Sequence, residues 1–540
     1  MYFKNLKIQI VLLSIIAFSG CSKLLDINPT DSITRKQMFN ENKDAFAIKS
    51  GLYNTLQGLV EQRFVLGELR GDLVSPARGA KGNMDIGEFM DNYVTPSNKY
   101  LDWSGIYVLI NQCNDALVTL PKTIVNSPLI TQNDTVRYNH IIGEVLWLRA
   151  WAYFTLIQNW GDVPFYTDPV YNIDDIQAHT LVDQNIILDQ LEKDLLWASK
   201  HVVYNWAWGR INRWWNHETV NMCAAIGLLG DVLLYRDKFA EAWTQDVYLK
   251  ILTTQVTVPG DPYRTEDWHN SFNINGSSLN SGKDWFNVLF RYSNEVFNQS
   301  WYEEGLILAF DTENTYSGGG LYNEHHTLGY FTNNRPEEGG LYYVKPSKSV
   351  VDLFNVNQDI YRGAGYSYYI DNNQTFQTQD TLIWKYFGID QNGNRREPFV
   401  TYGSINIIRT ADLYLKAAEA ANRLGYTSTA LDIINQIRSR VGEFPANVKA
   451  DATMEEIENV IIDERALELA FEGQRWYDLV RIAKRRHDPE FLIGRILRNV
   501  PASRIETVRA RLELQSKTDW LLPFSDKAVL TNKNISNEIK

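Results

Sequence analysis

The chain has 540 residues, 44 % of them hydrophobic and 22 % charged, which excludes a disordered segment and a small disulfide-stapled scaffold. A net charge of −12 with no long basic cluster excludes nucleic acid as the partner, because counterion release from phosphates needs a positive footprint. Three cysteines, Cys21, Cys113 and Cys223, allow at most one bridge and form neither a CxxC nor a Cys/His pair at metal spacing, so no structural zinc site is expected.

Lys4 and Lys7 open the chain, Ile8 to Phe18 is an apolar run too short to span a bilayer, and Ser19-Gly20-Cys21 is a small-residue junction. Residues 1–20 therefore read as a leader. Its end resembles a bacterial lipobox, in which Cys21 is acylated and becomes the first residue of a membrane-anchored protein.

Apolar residues three and four apart predict helices over 44–59, 103–120, 141–158, 183–198 and 218–235, and again over 410–424, 427–441 and 454–479. Several of these pair through short turns. Ala224 and Ala225 precede a turn at Arg236-Asp237-Lys238, and Ala417, Ala418, Ala420 and Ala421 precede one at Gly425. Small residues at such places let antiparallel helices approach closely, as in tetratricopeptide-type stacks. Trp103, Trp147, Trp151 and Trp476 sit in these periodic stretches and are expected in the core, while Trp206, Trp208, Trp214 and Trp215 are expected to position a helical unit.

Residues 256–401 are different, being rich in Gly, Asn, Ser, Tyr and Trp with short alternating runs at 306–310 and 381–387. The fold expected is mainly α, four tetratricopeptide-like helix pairs carrying a loop-rich irregular insertion with short β-strands. The boundaries expected are 21–255 for the first three helix pairs, 256–401 for the insertion and 402–540 for the last pair and a tail.

Glu464, Glu468 and Glu472 stack on one helix face at i, i+4 and i+8, and Arg465, Arg475 and Arg438 are the expected partners of a charge network. A glycosidase would instead hold two carboxyls across a cleft. Asp390 to Asn394 opens like a calcium loop, but Arg395 and Thr401 stand where its later Gly and bidentate Glu belong, and Asn392-Gly393 reads better as a hairpin turn. There is no HExxH, GxSxG, Walker loop or GxGxxG, so no catalytic residue, metal or cofactor is expected.

Five segments carry a family likeness: Cys21 to Thr34, Trp103 to Leu117, Leu148 to Phe165 (LRAWAYFTLIQNWGDVPF), Asp463 to Arg481 (DERALELAFEGQRWYDLVR) and Leu521 to Asn534. In this order they resemble the SusD/RagB family of Bacteroidetes outer-membrane lipoproteins. The resemblance implies a non-catalytic protein on the exterior of the outer membrane. It would capture glycans, or in some members peptides, and deliver them to a SusC-like TonB-dependent transporter. A lipid-anchored hydrolase and a structural assembly subunit are the rival classes.

A glycan binder needs exposed rings for the C–H faces of sugars, with polar side chains beside them for the hydroxyls. Trp268, Trp285, Arg291, Trp301, Tyr316 and Tyr322 in the insertion are the expected contacts. Arg78, Tyr93, Asn98 and Tyr100, before the Trp103 helix, are expected to join them, in a loop where the resemblance also implies binding residues.

Overall fold

A computed structural model describes residues 42–126, 132–172, 174, 179–202, 220–253, 255–257, 265–267, 306–310, 341–359, 362–364, 367–370, 381–385, 405–440, 448–449 and 451–537. Cys21, the Trp206 to Trp215 cluster, Trp268, Trp285, Arg291, Trp301, Tyr316, Tyr322 and the Asp390 to Asn394 turn lie outside these residues.

Helices α1 (Asn42–Gln57) and α2 (Val60–Glu68) lead through strand β1 (Val74–Pro76) and α3 (Met84–Met90) to α4 (Ser104–Asn126). Next come α5 (Gln132–Trp160), the short pair β2 (Val163–Pro164) and β3 (Leu181–Val182), α6 (Gln184–His201), α7 (Met222–Tyr235), α8 (Phe239–Ala242) and α9 (Tyr248–Thr253). The middle of the chain carries β4 (Gln255–Thr257), β5 (Thr265–Asp267), β6 (Leu306–Phe310), β7 (Val344–Pro346), α10 (Lys348–Val356), β8 (Tyr368–Ile370), β9 (Thr381–Ile383) and β10 (Ile405–Arg409). The C-terminal part consists of α11 (Thr410–Arg423), α12 (Thr427–Arg440), α13 (Met454–Leu469), α14 (Arg475–Arg486), α15 (Pro489–Leu497), α16 (Ile505–Ser516) and α17 (Asp526–Thr531).

The fold is mainly α. Consecutive helices pack on one another, α4 on α5, α5 on α6, α6 on α7 and α11 on α12, α13 lies against α11, and the described strands form only two-stranded antiparallel sheets. The alanines of α11 are all buried, as are Ala430, Ile434 and Ile437 of α12, and Gly425 makes the turn between them at φ +84°. The partner expected after the Arg236 to Lys238 turn is shorter than the sequence suggests, a single turn at α8, and α7 packs on it as well as on α6 and α11.

One apolar core runs through both helical parts, from Ala45 to Ile535, and a second one lies under α14 to α16. Trp103, Trp147, Trp151 and Trp476 are buried in these cores, as expected. The tail is itself helical and structural. Phe524 packs on Trp103 with ring centroids 5.3 Å apart, and Trp160 Nε1 donates to the Pro523 carbonyl at 3.0 Å.

The helix expected over 454–479 is broken. It ends at Leu469 and resumes at Arg475, with Phe471 at φ +67° and Gly473 at φ +72°. Two contacts account for the break. The buried Glu68 carboxylate accepts the N–H groups of Phe471 and Gly473 at 3.3 and 2.9 Å, and Gly67 lies so close to this turn that an added Cβ would meet the Gly473 carbonyl at 2.0 Å.

The carboxylate stack at 464, 468 and 472 is a buried charge network, with one of the three expected partners and three others. Arg438 does reach Glu464, at 2.8 Å, but Arg465 pairs with Asp412 and Asp478, and Arg475 with Asp72. The other bonds come from the middle of the chain. Arg362 reaches Glu464 and Glu468 at 2.7 and 2.9 Å, Arg409 reaches Glu468 and Glu472 at 2.7 and 2.8 Å, and Lys385 reaches Glu472 at 2.8 Å. Burial alone would raise the Glu472 pKa, but Arg409 and Lys385 outweigh it and hold this carboxyl below the usual range. Pairing on this scale consumes the oxygens that acid/base chemistry would need.

Candidate functional site

The loop between β1 and α4 is held from its base. β1 pairs antiparallel with β7, Ala77 N–H donates to the Tyr343 carbonyl at 3.0 Å, and Gly79 N–H to that of Tyr342 at 2.8 Å. Only a glycine fits here, because a Cβ on Gly79 would lie 1.8 Å from the Leu341 carbonyl. Ala77, Tyr342, Leu382 and Trp384 form a small apolar cluster beside this join, and Tyr369 stacks on Trp384 at 4.9 Å. The return end of the 256–401 segment is thereby fastened to the loop that holds Arg78 and Tyr93.

From that base the chain makes a 3₁₀ turn over Arg78–Gly82 and enters α3, whose N-terminus is capped by the Asn83 side chain. It then folds back along the helix. Glu88 organises the return, accepting from Thr95 N–H and Oγ1 at 3.0 and 2.7 Å and from Asn98 Nδ2 at 2.9 Å. Asn98 is buried, and its Oδ1 accepts the Tyr100 N–H at 3.1 Å. Tyr100 is also buried, its hydroxyl donating to Glu61 at 2.7 Å, and burial pushes its pKa up further than the nearby Glu61 does.

Four residues of this loop were expected at the site, and the structure separates them into two kinds. Asn98 and Tyr100 spend their polar atoms on the shape of the loop, whereas Arg78 is exposed and Tyr93 is 56 % exposed. The Tyr93 ring is presented by a second element that the sequence did not suggest. The Arg511 guanidinium of α16 lies 4.7 Å from its centroid, while Arg511 Nη1 donates to the Asp91 carbonyl at 3.1 Å and Gln515 Nε2 to that of Asn92 at 2.7 Å. Arg511 is 418 positions from Tyr93, and no local pattern marks it.

Trp268, Trp285, Arg291, Trp301, Tyr316 and Tyr322 fall outside the described residues, so of the expected contacts the structure brings together those of the loop. Among the described residues no group of three or more His, Cys, Asp or Glu side chains is placed to hold a metal ion. Cys113 and Cys223 are buried, and burial pushes the Cys113 thiol up to about 12. No described helix is long and apolar enough to cross a membrane.

Two family models match the two helical parts of the chain, one described as the SusD family over residues 357–538 and one as starch-binding associating with outer membrane over 40–214. The chain belongs to the SusD family. This SusD-family protein is 26 % identical to SusD-like protein P38 of Formosa agariphila over 89 % of its own length and 92 % of the relative's. It is 25 % identical to a SusD-like protein of Bacteroides ovatus over 88 % and 82 %. Among solved structures it superposes on a SusD superfamily protein of Bacteroides thetaiotaomicron with a TM-score of 0.67 at 22 % identity, covering 92 % of this chain and 98 % of the other. A laminarin-binding SusD-like protein gives a TM-score of 0.63 at 21 % identity over 91 % and 98 %. These likenesses establish the fold of the SusD-family protein.

Proposed function

We propose that this protein is a lipoprotein, anchored through acylated Cys21 to the outer membrane and facing the exterior, that binds glycans without catalysis. It delivers them to a SusC-like TonB-dependent transporter. The observation that carries this reading is an exposed Tyr93 ring on a rigid loop, fastened at its base to the return of the aromatic-rich 256–401 segment. A rigid ring beside polar groups is the platform on which the C–H face of a sugar stacks. In this reading Arg78 and Tyr93 act together with Trp268, Trp285, Arg291, Trp301, Tyr316 and Tyr322, while Asn98 and Tyr100 hold the loop in shape. The description of the second family model and the laminarin-binding neighbour support the ligand class, and the consumption of the core carboxylates by Arg and Lys supports the absence of hydrolysis.

Isothermal titration of the purified protein against a panel of oligosaccharides tests the proposal. Binding is expected to strengthen with oligosaccharide length and to weaken at least fivefold in Tyr93→Ala. Silence across the panel together with binding of peptides would move the protein to a peptide-capturing role, and release of reducing sugar would show it to be a hydrolase.

A further inference from the structure

The charges around Tyr93 narrow the ligand class, a step that rests on the glycan-binding reading above. The whole chain is acidic, at −12, yet the carboxylates of this loop are turned to internal tasks. Asp85 Oδ1 accepts the Lys99 N–H at 3.1 Å, both Glu88 oxygens are taken by Thr95 and Asn98, and Asp91 is paired with Arg504 at 2.7 Å. The cations are disposed differently. Lys81 and Lys99 are exposed and have no ion pair among the described residues, and Lys99 Nζ lies 4.6 Å from the centroid of the Tyr100 ring beneath it.

Arg511 completes the set. Its guanidinium lies against Tyr93 and donates to a backbone carbonyl, with no carboxylate partner among the described residues. A stacked guanidinium keeps donors at its rim and, being planar, meets a carboxylate or a sulfate with two parallel bonds. The site therefore offers a ring for a sugar face, Arg511 against it, and on the same loop two exposed lysines that form no ion pair among the described residues.

We propose that the Tyr93 platform receives an anionic glycan, with Arg511, Lys81 and Lys99 meeting its carboxylate or sulfate groups while a sugar ring stacks on Tyr93. Neutral glycans would leave these cations facing water and gain nothing from them.

The test is titration of the purified full-length protein with three length-matched oligosaccharides, one from polygalacturonate, one from carrageenan and one from laminarin. They supply carboxylate, sulfate and neither. Tighter binding of either acidic series is expected, and which series is tighter identifies the anion. Raising NaCl from 50 to 500 mM shortens the screening length and should weaken acidic binding about tenfold. Arg511→Gln and the double variant Lys81→Gln/Lys99→Gln should each weaken it about three- to tenfold, and the double variant should leave laminarin binding unchanged. The two lysines are exposed, so the double variant reports on the ligand even if Arg511→Gln disturbs the loop. Laminarin bound as tightly as the acidic series, or acidic binding indifferent to salt and to the double variant, would overturn the inference and leave the glycan role standing. Failure of all three series to bind would overturn both.

Discussion

Glu68 is a carboxylate in surroundings that favour its neutral form. Burial raises its pKa from 4.5 to about 8, against the lowering effect of the Gly473 N–H and of Arg475. The folded pKa is above the unfolded one, so between these values the unfolded state loses a proton that the folded state keeps. Stability from this group therefore falls as pH rises, by about 1.4 kcal/mol per pH unit inside that window. Melting temperatures of the parent and Glu68→Gln from pH 5 to 9 should show the parent losing ground to the variant up to about pH 8, with a constant difference beyond it. Glu472 behaves in the opposite way. Its depressed pKa adds stability above the unfolded value of 4.5, which is lost as pH falls through the folded value. Glu472→Gln removes the ion-pair partner of the buried Lys385 and one of the two carboxylates on Arg409, which should cost about 3–5 kcal/mol in urea unfolding at pH 7 and less below pH 4.

Among the elements, the joint between α13 and α14 shows how a helix pattern is overridden. Apolar periodicity continues through residues 454–479, and nothing local stops the helix except Gly473. What stops it is Glu68, which takes two amide hydrogens of the turn, and the backbone of Gly67 pressed against it. Gly67→Ala would force a methyl into the Gly473 carbonyl, and because backbone cannot step aside as a side chain does, a loss of about 3 kcal/mol or more is expected from the urea midpoint. A milder prediction concerns the start of α13, where Thr453 and Glu456 form a reciprocal capping box. Thr453→Ala should cost about 1 kcal/mol, read in the same way.

Across the whole molecule, the C-terminal segment closes the N-terminal helices. Phe524 fills the space beside Trp103, Leu522 N–H donates to the Asn159 carbonyl at 2.8 Å, and Asp526 N–H to the Pro96 carbonyl at 2.9 Å. Residues more than 360 positions apart thus share one core, and the bond to Pro96 ties the Tyr93 loop to the tail. Phe524→Ala should lower stability by about 3–5 kcal/mol in chemical denaturation. Because Pro96 lies in that loop, the variant should also weaken glycan binding, which titration at a temperature where it remains folded would show. The buried Arg362, Lys385 and Arg409 perform the equivalent task for the middle of the chain, tying its described segments to Glu464, Glu468 and Glu472.

The helical class, most of the helices and the buried tryptophans were legible in the sequence because each depends on spacing within a few turns, and a spacing of three and four residues has one physical meaning wherever it occurs. The carboxylate stack was legible as a network for the same reason. Of its partners only Arg438 was, since Arg362, Lys385 and Arg409 are brought to it by the path of the chain. The binding loop divides in the same way. Composition marked Arg78, Tyr93, Asn98 and Tyr100 alike, and only the tertiary structure turned Asn98 and Tyr100 inward, left Tyr93 in water and set Arg511 against it. A residue type states which bonds a side chain is able to make. Burial and the approach of distant backbone decide which of them it makes, and these depend on the whole folded chain.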